Sequence, residues 1–324
     1  MHRHSRGRGS VPVVDIFAGP GGLNEGFSSF IASDGARPFS TRLSIERDPT
    51  AHLTLTLRAF FRQFPPGRVH ADYYDFLRNI DTPLGDRLDW LFGHHPAEAV
   101  RAFQEAKCAE LGADDPEVIR EWIDAGLNGA ENWVLLGGPP CQAYSLAGRS
   151  RNKGVKDYDP LKDKKQFLYR EYLRILADHL PAVFIMENVQ GLLSATIEEE
   201  LIFNRICEDL HDPVQAVRRE GRNVRWGRGA GRRYKLFSLV DYKGKGQSYT
   251  LFETAADNAG RSLNSFIVRM ERHGVPQARH RLIILGVRED LGSVQPKTLE
   301  TRARRSRESP VRPAASAQRP LARG

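Results

Sequence analysis

The sequence predicts an α/β fold with a mostly parallel sheet, and three observations carry the prediction. Short β-branched and apolar runs recur along the chain. Amphipathic helical patterns lie between several of them, the alternation that feeds parallel strands. No apolar run approaches the roughly 18 residues that would span a membrane.

Residues 11–17 read as the first buried strand, running into the glycine turn Phe17-Ala18-Gly19-Pro20-Gly21-Gly22-Leu23. Such a turn opens a helix and lets a ligand approach the backbone. It is not the G-x-G-x-x-G fingerprint, so dinucleotide binding becomes a minor alternative. Residues 42–45 form the second strand, which ends at Glu46, where an acid can accept hydrogen bonds from ribose hydroxyls. Asp72, in His70-Ala71-Asp72-Tyr73, is either a third contact, to an adenine amino group, or an ordinary surface-turn acid. Together these residues describe a nucleoside pocket.

Residues 76–130 look like a helical insertion, with helical patterns over 96–111 and 116–125. The strand at 133–136 runs into Gly137-Gly138-Pro139-Pro140-Cys141-Gln142-Ala143-Tyr144-Ser145. Two prolines fix the backbone before the thiol and hold Cys141 at the sheet edge, while Cys108 and Cys207 sit on helical patterns and read as structural. A helix over 164–180 places Phe167, Leu168, Tyr172, Ile175, Leu176 and His179 at i, i+3, i+4 spacing, and Pro181 ends it. The strand at 182–186 delivers Glu187-Asn188-Val189 to the same edge. A carboxylate beside a thiol favours a protonated Glu187 able to donate to a base nitrogen.

Residues 195–262 form a second insertion, a helix followed by a basic, Gly-rich segment. Strands at 265–270 and 282–287 complete the sheet. Gln277-Ala278-Arg279-His280-Arg281 precedes the last strand, the wrong end if that strand is parallel. If it runs antiparallel, its start lies at the edge that holds Cys141 and Glu187, and the arginines can hold a base carbonyl and favour the thiolate. Otherwise the stretch is a basic hairpin loop.

The net charge of +8 resides in three stretches, residues 1–10 (+3), 218–235 (+7) and 296–324 (+6), which leaves the remainder at about −8. An acidic body with basic appendages suits a polyanionic partner. Trp226 and Tyr234 are interleaved with the charges of the second stretch, so Arg225, Arg228 and Arg232 are candidates for phosphate contact. Three scattered cysteines and the absence of a secretory leader suggest a cytoplasmic protein; no metal is expected.

The FAGPGG turn, the acid after the second strand, PPCQ, ENV and QxRxR, in this order, resemble the DNA cytosine-5 methyltransferase family over residues 11–288, with two insertions. The resemblance implies a Rossmann-like domain that binds S-adenosylmethionine, a double-stranded DNA substrate with the target cytosine flipped out, and a place in a restriction-modification system. It implies that Cys141 adds to the cytosine ring, Glu187 acts at N3, Asn188 holds the loop, and Arg281 with Arg279 contacts the base. Phe17, Ala18, Gly19, Gly21, Gly22, Leu23, Glu46, Asp72, Pro139 and Leu168 match cofactor positions. Gln142, Ser145 and Gln277 are expected at the DNA, and Arg47 departs from the apolar residue sometimes found after the ribose-binding acid. In the family, QxRxR is followed by a target-recognition domain, whereas here residues 289–324 are Pro- and Arg-rich and expected to be disordered. That suggests either a second subunit carrying the recognition half or a truncated product. An RNA cytosine methyltransferase on the same scaffold and an inactive nucleic-acid-binding remnant are the alternatives.

Overall fold

A computed structural model describes residues 9–140, 167–194, 196–197, 200–225, 233–240, 250–251, 263–292 and 295–301. Its centre is a parallel sheet of β3 (Ala106–Cys108), β2 (Phe39–Glu46), β1 (Val11–Ile16), β4 (Val134–Gly137) and β5 (Val183–Val189), in that order. These strands read as apolar runs because both faces are covered. Val14 and Ile16 pack with Leu135, Ile123 and Tyr172 on one side, and Val13 packs with Leu136 on the other. The strand order with helices on both faces is the doubly wound, Rossmann-like arrangement, and the carboxyl ends of the parallel strands share one edge.

The last long strand, β11 (His280–Arg288), runs antiparallel to β5, pairing Arg281 with Val189 and Val287 with Val183. Its first residues therefore lie at the carboxyl edge, as the antiparallel reading expected. β10 (Ile267–Arg269) pairs beside that start, and β8 (Tyr234–Phe237) beside its far end. β9 (Thr250–Leu251) continues the sheet, and β6 (Thr196–Ile197) and β7 (Glu200–Leu201) form a separate hairpin.

The helices follow their sequence signals. α1 (Gly22–Ser28) starts after Gly21, whose left-handed backbone (φ 85°) suits glycine. α2 (Pro49–Arg62) begins with Asp48 accepting from the Ala51 N–H and proline in the first turn. α3 (Ala71–Arg78), α4 (Leu84–His94) and α5 (Pro96–Glu105) follow, and then β3 and α6 (Pro116–Leu127). α7 (Phe167–His179) ends at Leu180, left-handed at φ 44°, before Pro181. α8 (Ile202–His211) and α9 (Pro213–Arg219) pack near it.

Two expectations change. The stretch 76–130 is not wholly an insertion, because β3 is the edge strand of the main sheet and α6 covers its face through Ile119, Ile123 and Leu127. Ala and Lys are weak strand formers, so pairing with Ser44–Glu46 decides that element. The basic stretch 218–235 contains the start of β8, where Tyr234 is fully buried, its hydroxyl donating to the Pro181 carbonyl at 2.8 Å. It is a core residue and not a stacking platform.

Candidate active site

The glycine turn and the acid after β2 form one unit. Phe17 adopts a left-handed backbone (φ 54°), a strained geometry for a residue with a β-carbon, and Gly19 follows at φ 56°. The Ala18 N–H donates to the Ile45 carbonyl (3.0 Å) and the Gly21 N–H to the Ala18 carbonyl (2.9 Å). A β-carbon on Gly21 would stand 2.9 Å from Leu55 Cδ1, so the turn fits only glycine there. The Gly19 N–H donates to Glu46 Oε2 (2.7 Å) and the Asp48 N–H to Oε1 (2.8 Å). Each carboxylate oxygen keeps a free lone pair for a hydroxyl.

A cavity opens here, lined by Phe17, Ile45, Glu46, Gly138, Pro140 and Leu168, with Arg47, Ala109, Glu110 and Leu111 on its other side. Leu23 turns away from it and packs on the core with Val13 and Leu136. Asp72 does not line it. That acid sits in the first turn of α3, with Oδ2 2.9 Å from His95 Nε2. Of the two readings of Asp72, its described contacts fit only the surface-turn one; the acid lining the cavity after β3, which ends at Cys108, is Glu110, ion-paired with Arg47 at 2.8 Å. Sequence reasoning missed Glu110 because β3 carries no strand signal.

Beneath the turn, Asp15 is fully buried and its Oδ2 has no partner among the described residues. Burial pushes its carboxyl up to about 7, against the attraction of Arg62 and with Glu46 adding repulsion.

Residues of three motifs meet at the edge of β4 and β5. Gly138 lies against Glu187: a β-carbon there would be 3.0 Å from Glu187 Oε2. Asn188 Nδ2 donates to the Pro139 carbonyl at 3.2 Å, and its Oδ1 accepts from the Val189 N–H at 2.8 Å. Arg281 Nε meets Glu187 Oε1 at 2.6 Å. The register explains the pair, since Arg281 lies opposite Val189 and alternation puts 187 and 189 on one face. Both side chains stay partly exposed, so the ion pair faces an open edge. The described neighbour of Glu187 is thus a guanidinium, not the thiol on which the expectation of a protonated Glu187 rested.

Arg279 and Gln277 are exposed on the loop before β11, beside this pair in sequence but not in contact with it. Cys141, Gln142, Ser145, Arg228 and Arg232 lie outside the described residues. Arg225 is elsewhere. Its guanidinium holds both oxygens of Asp124 (2.9 and 2.7 Å) near the end of α6, and its backbone N–H donates to Asp178 near the end of α7. Both helices end where the next strand begins, so Arg225 is at the amino edge of the sheet, opposite Glu187.

Residues 117–213 match the family model described as C-5 cytosine-specific DNA methylase. The Type II methyltransferase M.Bpa9945I of Bacillus paralicheniformis is 24% identical over 297 residues, covering 88% of this chain and 55% of that protein. The putative type II methyltransferase M.MjaORF1200P of Methanocaldococcus jannaschii is 47% identical over 193 residues, 56% of this chain and 49% of that protein. The DNA (cytosine-5-)-methyltransferase M.ApeKI of Aeropyrum pernix is 32% identical over 168 residues, 51% and 29%. The chain spans 55% or less of the length of these relatives. No described helix is long and apolar enough to cross a membrane.

Proposed function

We propose, from the premise that this chain belongs to the C-5 cytosine-specific DNA methylase family, that it carries the catalytic face of a DNA (cytosine-5-)-methyltransferase of restriction-modification type. The observation that carries the reading is the Glu187–Arg281 ion pair, joined through Asn188 to the Pro139 carbonyl, two residues before Cys141.

Cytosine is electron-poor at C6 but unreachable while stacked, so the substrate is a base flipped out of duplex DNA. In the proposed reaction the Cys141 thiolate forms a bond to C6, and the electron pair of the C5–C6 double bond moves toward C5 and the N3 side of the ring. The Glu187 carboxyl gives a proton to N3 as charge develops there and is left as the carboxylate. Arg281 fixes the Glu187 carboxylate and offers its remaining N–H groups to the base carbonyl. Once C5 has gained its methyl group, a base takes the C5 proton, the C–H pair re-forms the C5–C6 double bond, and Cys141 leaves as the thiolate.

The methyl donor of such a reaction is S-adenosylmethionine, which supplies an electrophilic methyl group on a sulfonium. The residues fit it: the Glu46 carboxylate, already oriented by two backbone N–H groups, has acceptor capacity for ribose hydroxyls, and Phe17, Ile45 and Leu168 offer apolar surface to a purine. Glu110, which lines the same cavity, is the acid proposed for the adenine amino group.

The test is covalent trapping. With S-adenosylmethionine present, duplex DNA with 5-fluorocytosine at its target should form a complex with the chain that survives denaturation, because after methylation of C5 fluorine cannot leave as a proton does, and Cys141→Ser should abolish it. Trapping on an RNA substrate alone, or equal trapping by Cys141→Ser, would overturn the reading.

A further inference from the structure

Asp72 lies off the cofactor cavity and the proposed function does not use it, but with His70 and His95 it forms a cluster of possible metal ligands among the described residues. His95 Nε2 lies 2.9 Å from Asp72 Oδ2, His70 Nδ1 lies 3.2 Å from the same oxygen, and all three donor atoms are within 4.8 Å of one another. We propose that His70, Asp72 and His95 form a binding site for a divalent cation of the zinc class, which ties the start of α3 to the start of α5.

The argument is first one of donors. Two imidazoles and one carboxylate suit late first-row metals, Zn²⁺ above all, and a hard cation such as Mg²⁺ or Ca²⁺ poorly. It is next one of distance. Ligand atoms each about 2.0–2.1 Å from one ion stand about 2.9–3.4 Å apart at angles from 90° to tetrahedral. The two separations to Asp72 Oδ2 fall in that range without any movement. The third is the His70 to His95 gap, and the His70 side chain, 55% exposed, narrows it by giving up the long 3.3 Å bond its Nδ1 accepts from the Asp72 N–H.

Exposure sets the coordination. His95 and Asp72 are mostly covered (13% and 22% exposed), the His95 ring lying edge-on to Phe60 and Phe64, whereas the His70 side is open to water. Three protein ligands and an open fourth position follow. The positive ends of α3 and α5 face the cluster and weaken its hold on a cation, which the Asp72 carboxylate offsets, so saturation is expected at micromolar metal. The site bridges helices joined in sequence only through α4, and a metal there stabilises the region between β2 and β3 by mass action.

The full chain is titrated with Co²⁺, whose visible absorption reports inner-sphere nitrogen and oxygen ligands, and then back-titrated with Zn²⁺. A saturable spectrum at one equivalent, displaced by Zn²⁺, is expected. His95→Gln keeps a side-chain donor for Asp72 but offers no imidazole. It should fold as the parent does, by far-UV circular dichroism, and bind Co²⁺ more than about 100-fold more weakly. The rise in Tm that Zn²⁺ gives the parent should vanish with it. His94→Ala, in which the neighbouring exposed ring is removed, should bind as the parent does. No spectrum with the parent, or a spectrum unchanged in His95→Gln, would show that the cluster is only a hydrogen-bonded helix cap and overturn the proposal. Neither outcome depends on methyl transfer.

Discussion

The two edges of the central sheet use the same kinds of residue for opposite ends. At the carboxyl edge, Glu46, Glu187 and Arg281 are oriented by backbone and side-chain partners yet remain partly exposed, each with bonding capacity left over. At the amino edge, Arg288 is 4% exposed and spends its guanidinium on Asp290 and the Leu180 carbonyl. Arg120 reaches Glu117 and Asp178 there, and Arg225 reaches Asp124. Charge type therefore says little about role. What separates Arg288 from Glu187 and Arg281 is whether the charged group is spent inside the fold or left facing an open edge.

The comparison breaks most visibly if a carboxyl-edge residue proves structural. Glu187→Gln is expected to lower kcat for methylation by about 10²–10⁴ with little change in stability, the range for a group acting in proton transfer. Steady-state kinetics with parallel denaturant unfolding checks both halves. Loss of stability without loss of kcat would put Glu187 with the amino-edge charges.

Arg288→Ala should do the reverse. It strips the partner from a buried carbonyl at the left-handed Leu180 and leaves a space between β11 and the α7–β5 turn, at a cost of about 2–4 kcal/mol. Urea midpoints should fall while kcat, measured well below Tm, holds.

Much of the carboxyl edge was legible in the sequence because its motifs sit directly after buried strands. Apolar runs located β1, β4 and β5, and the residues that follow them had to lie at one edge. The antiparallel β11 was legible for the same reason: Arg281 could reach Glu187 only if that strand reversed. Asp72 stayed open between an adenine contact and a surface-turn acid because spacing cannot decide it, and Glu110 was missed because Ala106–Cys108 carries no strand signal. Arg225 misled because a basic run looks alike whether its charges face solvent or Asp124. Pairing across about a hundred residues has no local signature.

Two buried titrating groups sharpen the contrast through pH. Asp15, near the carboxyl edge, is pushed from 3.8 up to about 7 by burial, so the folded state holds its proton more tightly than the unfolded state does. Stability is then lost as pH rises from about 4 to 7 and stays lost above that. Asp15→Asn should be more stable than the parent at pH 8, by on the order of 1–3 kcal/mol, with the gain shrinking toward pH 4. His179, at the amino edge, is pushed from 6.5 down to about 4, first by burial, with Asp124 and Asp178 opposing. Here the unfolded state holds the proton more tightly, and stability is lost as pH falls from 6.5 to about 4. His179→Gln should flatten that acid limb. Unfolding free energies measured from pH 4 to 8 would reject either assignment if the variant and parent curves ran parallel.

The smallest expected effect divides two arginines. Arg225 and Asp124 are both more than 40% exposed, so their ion pair is weak and Arg225→Ala should cost less than about 1 kcal/mol. If the basic stretch gripped DNA through this residue, the substitution would lower affinity for every sequence and reduce the slope of log affinity against log salt by about one. The amino-edge position predicts no change in that slope. Arg279→Ala, on the exposed loop beside Arg281, should produce that reduction. Salt titrations of duplex binding by both variants decide the matter. A reduced slope in Arg225→Ala with none in Arg279→Ala would mean that DNA contacts the sheet from the opposite side, and the division between the two edges would fail.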